Sequence, residues 1–168
     1  MSKRYLRIMR VMRKELLAVA AAVVLQVGAG ASADADGRSI APEADVAHHG
    51  HASLTRGRLG VSLLSENHGP SSLANATVRV SFSVPLAGVQ ALPAGCLWGG
   101  DRMVLCATGE LRAGGTGHRV ALDLRTVGTP AEVVVQVGTQ WNGGATDRNP
   151  DNNEHRVLTP ATGDPYAF

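Results

Sequence analysis

Residues 78–84 read Val78-Arg79-Val80-Ser81-Phe82-Ser83-Val84, and this stretch decides the fold. Every second side chain is apolar, and between them stand one cation and two hydroxyls. Successive side chains of an extended chain point to opposite faces, so the pattern suits a strand with one face buried and one in water. On the N-terminal side, Leu59, Val61 and Leu63 form an earlier apolar set. On the C-terminal side, Val120, Leu122 and Leu124 alternate with Arg119, Asp123 and Arg125, and Val133, Val135 and Val137 continue the series. Val157 belongs to a last strand. Turn-forming clusters separate these runs: Asn67-His68-Gly69-Pro70, Ala113-Gly114-Gly115, Asn142-Gly143-Gly144 and Asn149-Pro150. No stretch after residue 33 keeps a 3.6-residue period. Short strands at such spacing predict an all-β chain, an antiparallel β-sandwich of about seven strands over residues 58–160, with 161–168 as a C-terminal tail.

Cys96 and Cys106 straddle Gly99-Gly100-Asp101. A hairpin centred on Asp101 sets Cys96 opposite Cys106 and Trp98 opposite Val104, all on one face by parity. A three-residue loop suits such a connection. The two cysteines are therefore expected as a disulfide, worth roughly 2–3 kcal/mol on the chain-entropy model. Neither has an adjacent His or Lys to activate its thiol.

The first residues indicate the compartment. Lys3, Arg4, Arg7, Arg10, Arg13 and Lys14 precede an apolar run at 16–25 (LLAVAAAVVL), and Ala31-Ser32-Ala33 offers small residues for cleavage. That run is about half of the ~20 residues a membrane span needs, so residues 1–33 read as a signal peptide rather than an anchor. No transmembrane segment is expected once it is cleaved. Residues 34–57 lack apolar periodicity and read as a flexible linker. The whole chain has a formal charge of +2, but residues 1–33 hold six of 16 basic and one of 14 acidic groups. Residues 34–168 carry 10 basic against 13 acidic residues, a formal −3, and no basic cluster interleaved with aromatics. Nucleic acid is therefore not an expected partner. An exported chain also makes a disulfide the natural state of a cysteine pair.

Several motifs stand in a set order. Asn67-His68-Gly69-Pro70-Ser71 precedes Val78 to Val84, and Val84-Pro85-Leu86-Ala87-Gly88 comes next. Then come the cysteine pair, Gly109-Glu110-Leu111-Arg112-Ala113-Gly114, and Asp147-Arg148-Asn149-Pro150-Asp151-Asn152-Asn153. This order resembles the bacterial family called domain of unknown function eleven, over about residues 59–159. The resemblance implies an Ig-like sandwich in a surface or secreted protein, with Asn67, Gly69, Pro70, Asp147, Pro150, Asn152 and Asn153 as structural turns. It brings no catalytic residues. Members of the family often carry several copies, whereas one is present here, and two residues separate Pro85 from Gly88 where the family has one.

Reactive chemistry needs particular residues at particular spacings. Gly60-Val61-Ser62-Leu63-Leu64 lacks the second glycine of a nucleophile elbow and lies in an alternating strand, so Ser62 reads as an outward-facing serine. Acidic residues are scattered over different turns, and no catalytic residues are assigned. Asp147, Asn149 and Asp151 have calcium-loop spacing, but Asn152 stands where the loop needs Gly, Leu158 where it needs a carboxylate, and Pro150 is foreign to it. Asx turns account for them better, leaving weak Ca²⁺ binding as the second reading. His48, His49 and His51 could ligate Zn²⁺ or Cu²⁺, but on a linker without a second shell they read as solvated, and no metal is assigned.

The expectation is a secreted or cell-surface, non-enzymatic structural or interaction module. Its partners would be envelope or extracellular proteins or glycans. A small extracellular hydrolase with an unrecognised site and a His-tract metal-binding protein are the alternatives.

Overall fold

The alternating stretches fold as strands of two antiparallel sheets in a computed structural model that describes residues 41–168. The signal-peptide reading of residues 1–33 and the first part of the linker lie outside the described residues. The strands are β1 (Val46–Thr55), β2 (Arg58–Asn67), β3 (Thr77–Phe82), β4 (Cys96–Gly100), β5 (Met103–Ala107), β6 (Gly115–Arg125), β7 (Glu132–Trp141), β8 (Glu154–Pro160) and β9 (Tyr166–Ala167). A 3-10 turn, Pro150–Asn153, leads into β8. One sheet runs β6-β2-β1-β9 and the other β4-β5-β3-β7-β8. The neighbours β1-β2-β6 and β3-β7-β8 match the A-B-E and C-F-G neighbours of an immunoglobulin constant-type sandwich. Here β9 is added beyond β1, and the β4–β5 hairpin is added beyond β3.

The core lies where the inner faces meet. Leu59, Val61 and Leu63 of β2 and Leu122 and Leu124 of β6 pack against Val78, Val80 and Phe82 of β3 and Val133, Val135 and Val137 of β7. These are the sets that alternation predicts, and Val120 and Val157 are only partly buried beside them. A smaller cluster of Ala44, Val46, Leu73, Ala76 and Leu111 closes one end. Among the described residues no helix is long and apolar enough to cross a membrane.

The boundaries need correction. Residues 46–55, expected within a linker, form β1, which pairs with β2 along its full length from Val46↔Asn67 to Thr55↔Arg58. The inner face of β1 carries Val46, His48, Gly50, Ala52 and Leu54. A histidine and a glycine at two of these positions conceal the alternation. The connecting turn is Arg56-Gly57, with φ of 48° and 74°. Two positive φ values make it the mirror-image turn that suits hairpin twist, although Arg is an unusual first residue for it. The expected tail is also part of the fold: β9 pairs with His51 and Ala52, and Phe168 exchanges backbone hydrogen bonds with Gly50 at 3.0 and 3.1 Å. With β1 and β9 included, the described residues hold nine strands rather than about seven.

Cys96 and Cys106 are disulfide-bonded. Their register, Cys96↔Cys106 and Trp98↔Val104, is the one expected from spacing. The loop differs: Gly100 pairs with Met103 after a register shift, leaving Asp101-Arg102 as a two-residue turn beside a bulge. The bridge braces one hairpin within one sheet, and Cys106 sits wholly inside the core.

Candidate functional site

The motif residues converge at one end of the sandwich, around residues 42–46. Asn67, the last residue of β2, is buried. Its Oδ1 accepts from the N–H of Gly69 at 3.0 Å and of Asp45 at 3.2 Å. Its Nδ2 donates to the carbonyls of Ser71 at 2.8 Å and Leu111 at 3.3 Å. Every hydrogen-bonding position of the amide is used, which is what makes its burial tolerable. Gly69 is required because a Cβ there would lie 2.5 Å from Ala44 Cα and Asp45 N.

A second loop grips the same segment from the other side. Asp147 Oδ1 accepts from Asn149 N at 2.9 Å, closing an Asx turn. Its Oδ2 accepts from Val46 N at 3.2 Å and Asn153 Nδ2 at 2.9 Å. Pro150 opens the 3-10 turn, where its missing N–H costs nothing. Asn152 Nδ2 donates to Asp45 Oδ1 at 2.8 Å, and Arg148 pairs with Glu43 at 2.9 Å. The turn motifs therefore clamp the entry of the chain into β1. Asp147 is occupied by N–H donors, and among the described residues no group of three or more His, Cys, Asp or Glu is placed to hold a metal ion.

Pleating divides the histidine tract. His49 and His51 point to solvent, and His48 points inward and is fully buried. The three rings therefore cannot converge on one ion. His48 Nδ1 lies 3.1 Å from Ser65 Oγ and Nε2 lies 2.9 Å from Thr139 Oγ1. The ring thus joins β1 and β2 of one sheet to β7 of the other. Burial, with smaller contributions from His155 and His49, lowers its pKa to about 4, so the ring is neutral at pH 7.

Beside the clamp lies an open cleft of about 490 Å³ lined by the end of β7, the Asp147 loop and the start of β8. Trp141 forms its apolar wall and is 50% exposed. Thr139, Gln140, Asn142, Asn153 and Glu154 supply the polar lining. Asn142 Nδ2 donates to Ala145 O at 2.7 Å, which orients its amide. Glu154, largely exposed, pairs with Arg79 at 3.4 Å. The cleft thus combines a flat aromatic surface with oriented amide and carboxylate oxygens. Sequence reading missed it, because Trp141 and Glu154 come together only through the 142–153 excursion. The available signal was Gln140-Trp141-Asn142-Gly143-Gly144, a large aromatic at a strand end beside a tight turn.

No family model and no curated protein matches the chain. Among solved structures, it is similar to β-glucosidase 3B from Thermotoga neapolitana in complex with α-D-glucose, at 17% identity and a TM-score of 0.40. That match covers 74% of this chain and 17% of the glucosidase chain.

Proposed function

We propose that the protein is a non-enzymatic interaction module of the cell exterior, and that it takes a saccharide in the Trp141 cleft. One observation carries this reading: a half-exposed indole stands beside amide and carboxylate oxygens in a concave surface. Indole left in water forfeits hydrophobic stabilisation that a ligand would restore. The C–H face of a sugar ring supplies that apolar contact, and its hydroxyls donate to oxygens such as those of Asn142 and Glu154. A few convergent polar groups around an aromatic wall are what a small-ligand site needs. The carboxylates favour binding over turnover. Glycoside hydrolysis uses two carboxyl groups, and of the two lining the cleft Asp147 is committed to three N–H donors. The disulfide and the signal-like residues 1–33 support an extracellular setting.

Calorimetric titration of the purified chain with soluble fragments of envelope polysaccharide tests this reading. The parent should bind, and Trp141→Ala should weaken binding at least ~10-fold while keeping the melting temperature, since loss of an aromatic contact is worth about 1.4 kcal/mol or more. Equal affinity of the variant, or release of new reducing ends from the glycan, overturns it.

A further inference from the structure

The two sheets leave four outer strands, and β6 is the longest at 11 residues. By contrast β4 has five residues and ends in Gly99-Gly100, and β9 has two. At the end of β6, Arg125 turns its backbone away from β2: its N–H donates to Gln90 Oε1 at 2.6 Å and its carbonyl accepts from Ala87 N at 2.7 Å. The next residue, Thr126, instead donates to Gly57 at 2.9 Å. In an antiparallel ladder these directions alternate. Arg119, Ala121 and Asp123 therefore turn their N–H and C=O groups to the open edge, and Val120 and Leu122 pair with β2. The side chains of Arg119, Ala121 and Asp123 are all exposed on the outer face.

We infer that this edge pairs with the β6 edge of a second copy of the chain, antiparallel and centred on Ala121. In that register Ala121 faces its own counterpart, Arg119 faces Asp123 of the second copy, and Asp123 faces Arg119 of the second copy. All three outward-facing residues meet in hydrogen-bonded pairs, which gives about six new backbone hydrogen bonds. Opposite charges directly across a strand pair stabilise it. A parallel alignment, or an antiparallel one slipped by two residues, loses both charge pairs, so the charges specify the register as well as the partner. The inner face also benefits. Half-buried Val120 falls opposite Leu122 of the second copy, covering apolar surface that the single molecule leaves at its rim. Asp123 already pairs with Arg58 of β2, with both side chains more than 60% exposed, so its carboxylate has room for a second cation. The same pairing on β8 would set Arg156 against itself, because its outward residues are Glu154, Arg156 and Leu158. The two-fold pairing is closed and is confined to residues 119–123, because Gly117 falls opposite Arg125 of the second copy, whose N–H and C=O are already held by Gln90 and Ala87.

This inference goes beyond the saccharide reading and does not depend on it. Sedimentation velocity of the purified full chain from about 1 µM to about 1 mM tests it. The parent should form a concentration-dependent dimer. Ala121→Pro should sediment as a monomer with unchanged circular dichroism, because the N–H it removes is not used within the molecule. Arg119→Asp should weaken dimerisation at least ~10-fold, and the exchange Arg119→Asp with Asp123→Arg should restore it. If Ala121→Pro fails to fold, the single and double charge variants decide. A parent that stays monomeric across the range, or a dimer indifferent to these substitutions, overturns the inference.

Discussion

His48 is neutral at pH 7 because burial between the sheets disfavours the charged ring, with smaller contributions from His155 and His49. The folded ring takes a proton only near pH 4, and in the unfolded chain it does so near 6.5. Between those values the unfolded state binds the additional proton, so acid favours unfolding. The contribution of His48 is complete above about pH 7, is lost as pH falls from about 6.5 to about 4, and totals about 3 kcal/mol. Urea midpoints of the parent and His48→Asn across that window test this: the parent should lose stability more steeply, and equal slopes would contradict it. Asn67 works by hydrogen bonding alone. Asn67→Ala strands the N–H groups of Asp45 and Gly69 and the carbonyl of Ser71 at the chain entry, while the Leu111 carbonyl keeps the N–H of Leu73, and should cost about 3 kcal/mol. A change below about 0.5 kcal/mol in chemical denaturation would mean that the clamp contributes little. The roles of Asn67 and Asp147 as turn builders were legible from their Asn-x-Gly and Asp-x-Asn spacing. The segment they grip was not, because residues 42–46 have no pattern of their own.

At the scale of elements, legibility followed inner-face composition. The strands β2, β3, β6 and β7 place Val, Leu or Phe at alternate positions and could be read directly. In β1 the same face includes His48 and Gly50, and β9 is two residues following Asp164-Pro165, so neither yields a period. The β4–β5 register was legible because the cysteines and Trp98/Val104 share one symmetry centre, whereas the bulge that shortens the loop leaves no sequence mark. The disulfide closes a ring of sequence separation 10. Replacing both cysteines by Ala should lower stability by roughly 2–3 kcal/mol. Calorimetry of the double variant checks this, and an unchanged melting temperature would show the bridge to be redundant.

At the scale of the whole molecule, the core and the clamped end carry different tasks. The core of alternating aliphatics holds the sheets together, and the Asn67 and Asp147 loops fasten the entering chain. That fastening commits Asp147, one of the two carboxylates lining the Trp141 cleft, to three N–H donors. The cleft could not be read from the sequence, because it is assembled from a strand end, a 3-10 turn and the next strand. The chain has two tryptophans, Trp98 on the β4–β5 hairpin and Trp141 in the cleft. Their two indole N–H resonances therefore report on separate places. Titrating the ¹⁵N-labelled protein with soluble envelope glycan tests the central claim most directly. The Trp141 indole signal should shift together with the amides of Gln140, Asn142 and Glu154, while Trp98 stays in place. A spectrum in which Trp141 does not move, or in which Trp98 moves instead, would contradict it.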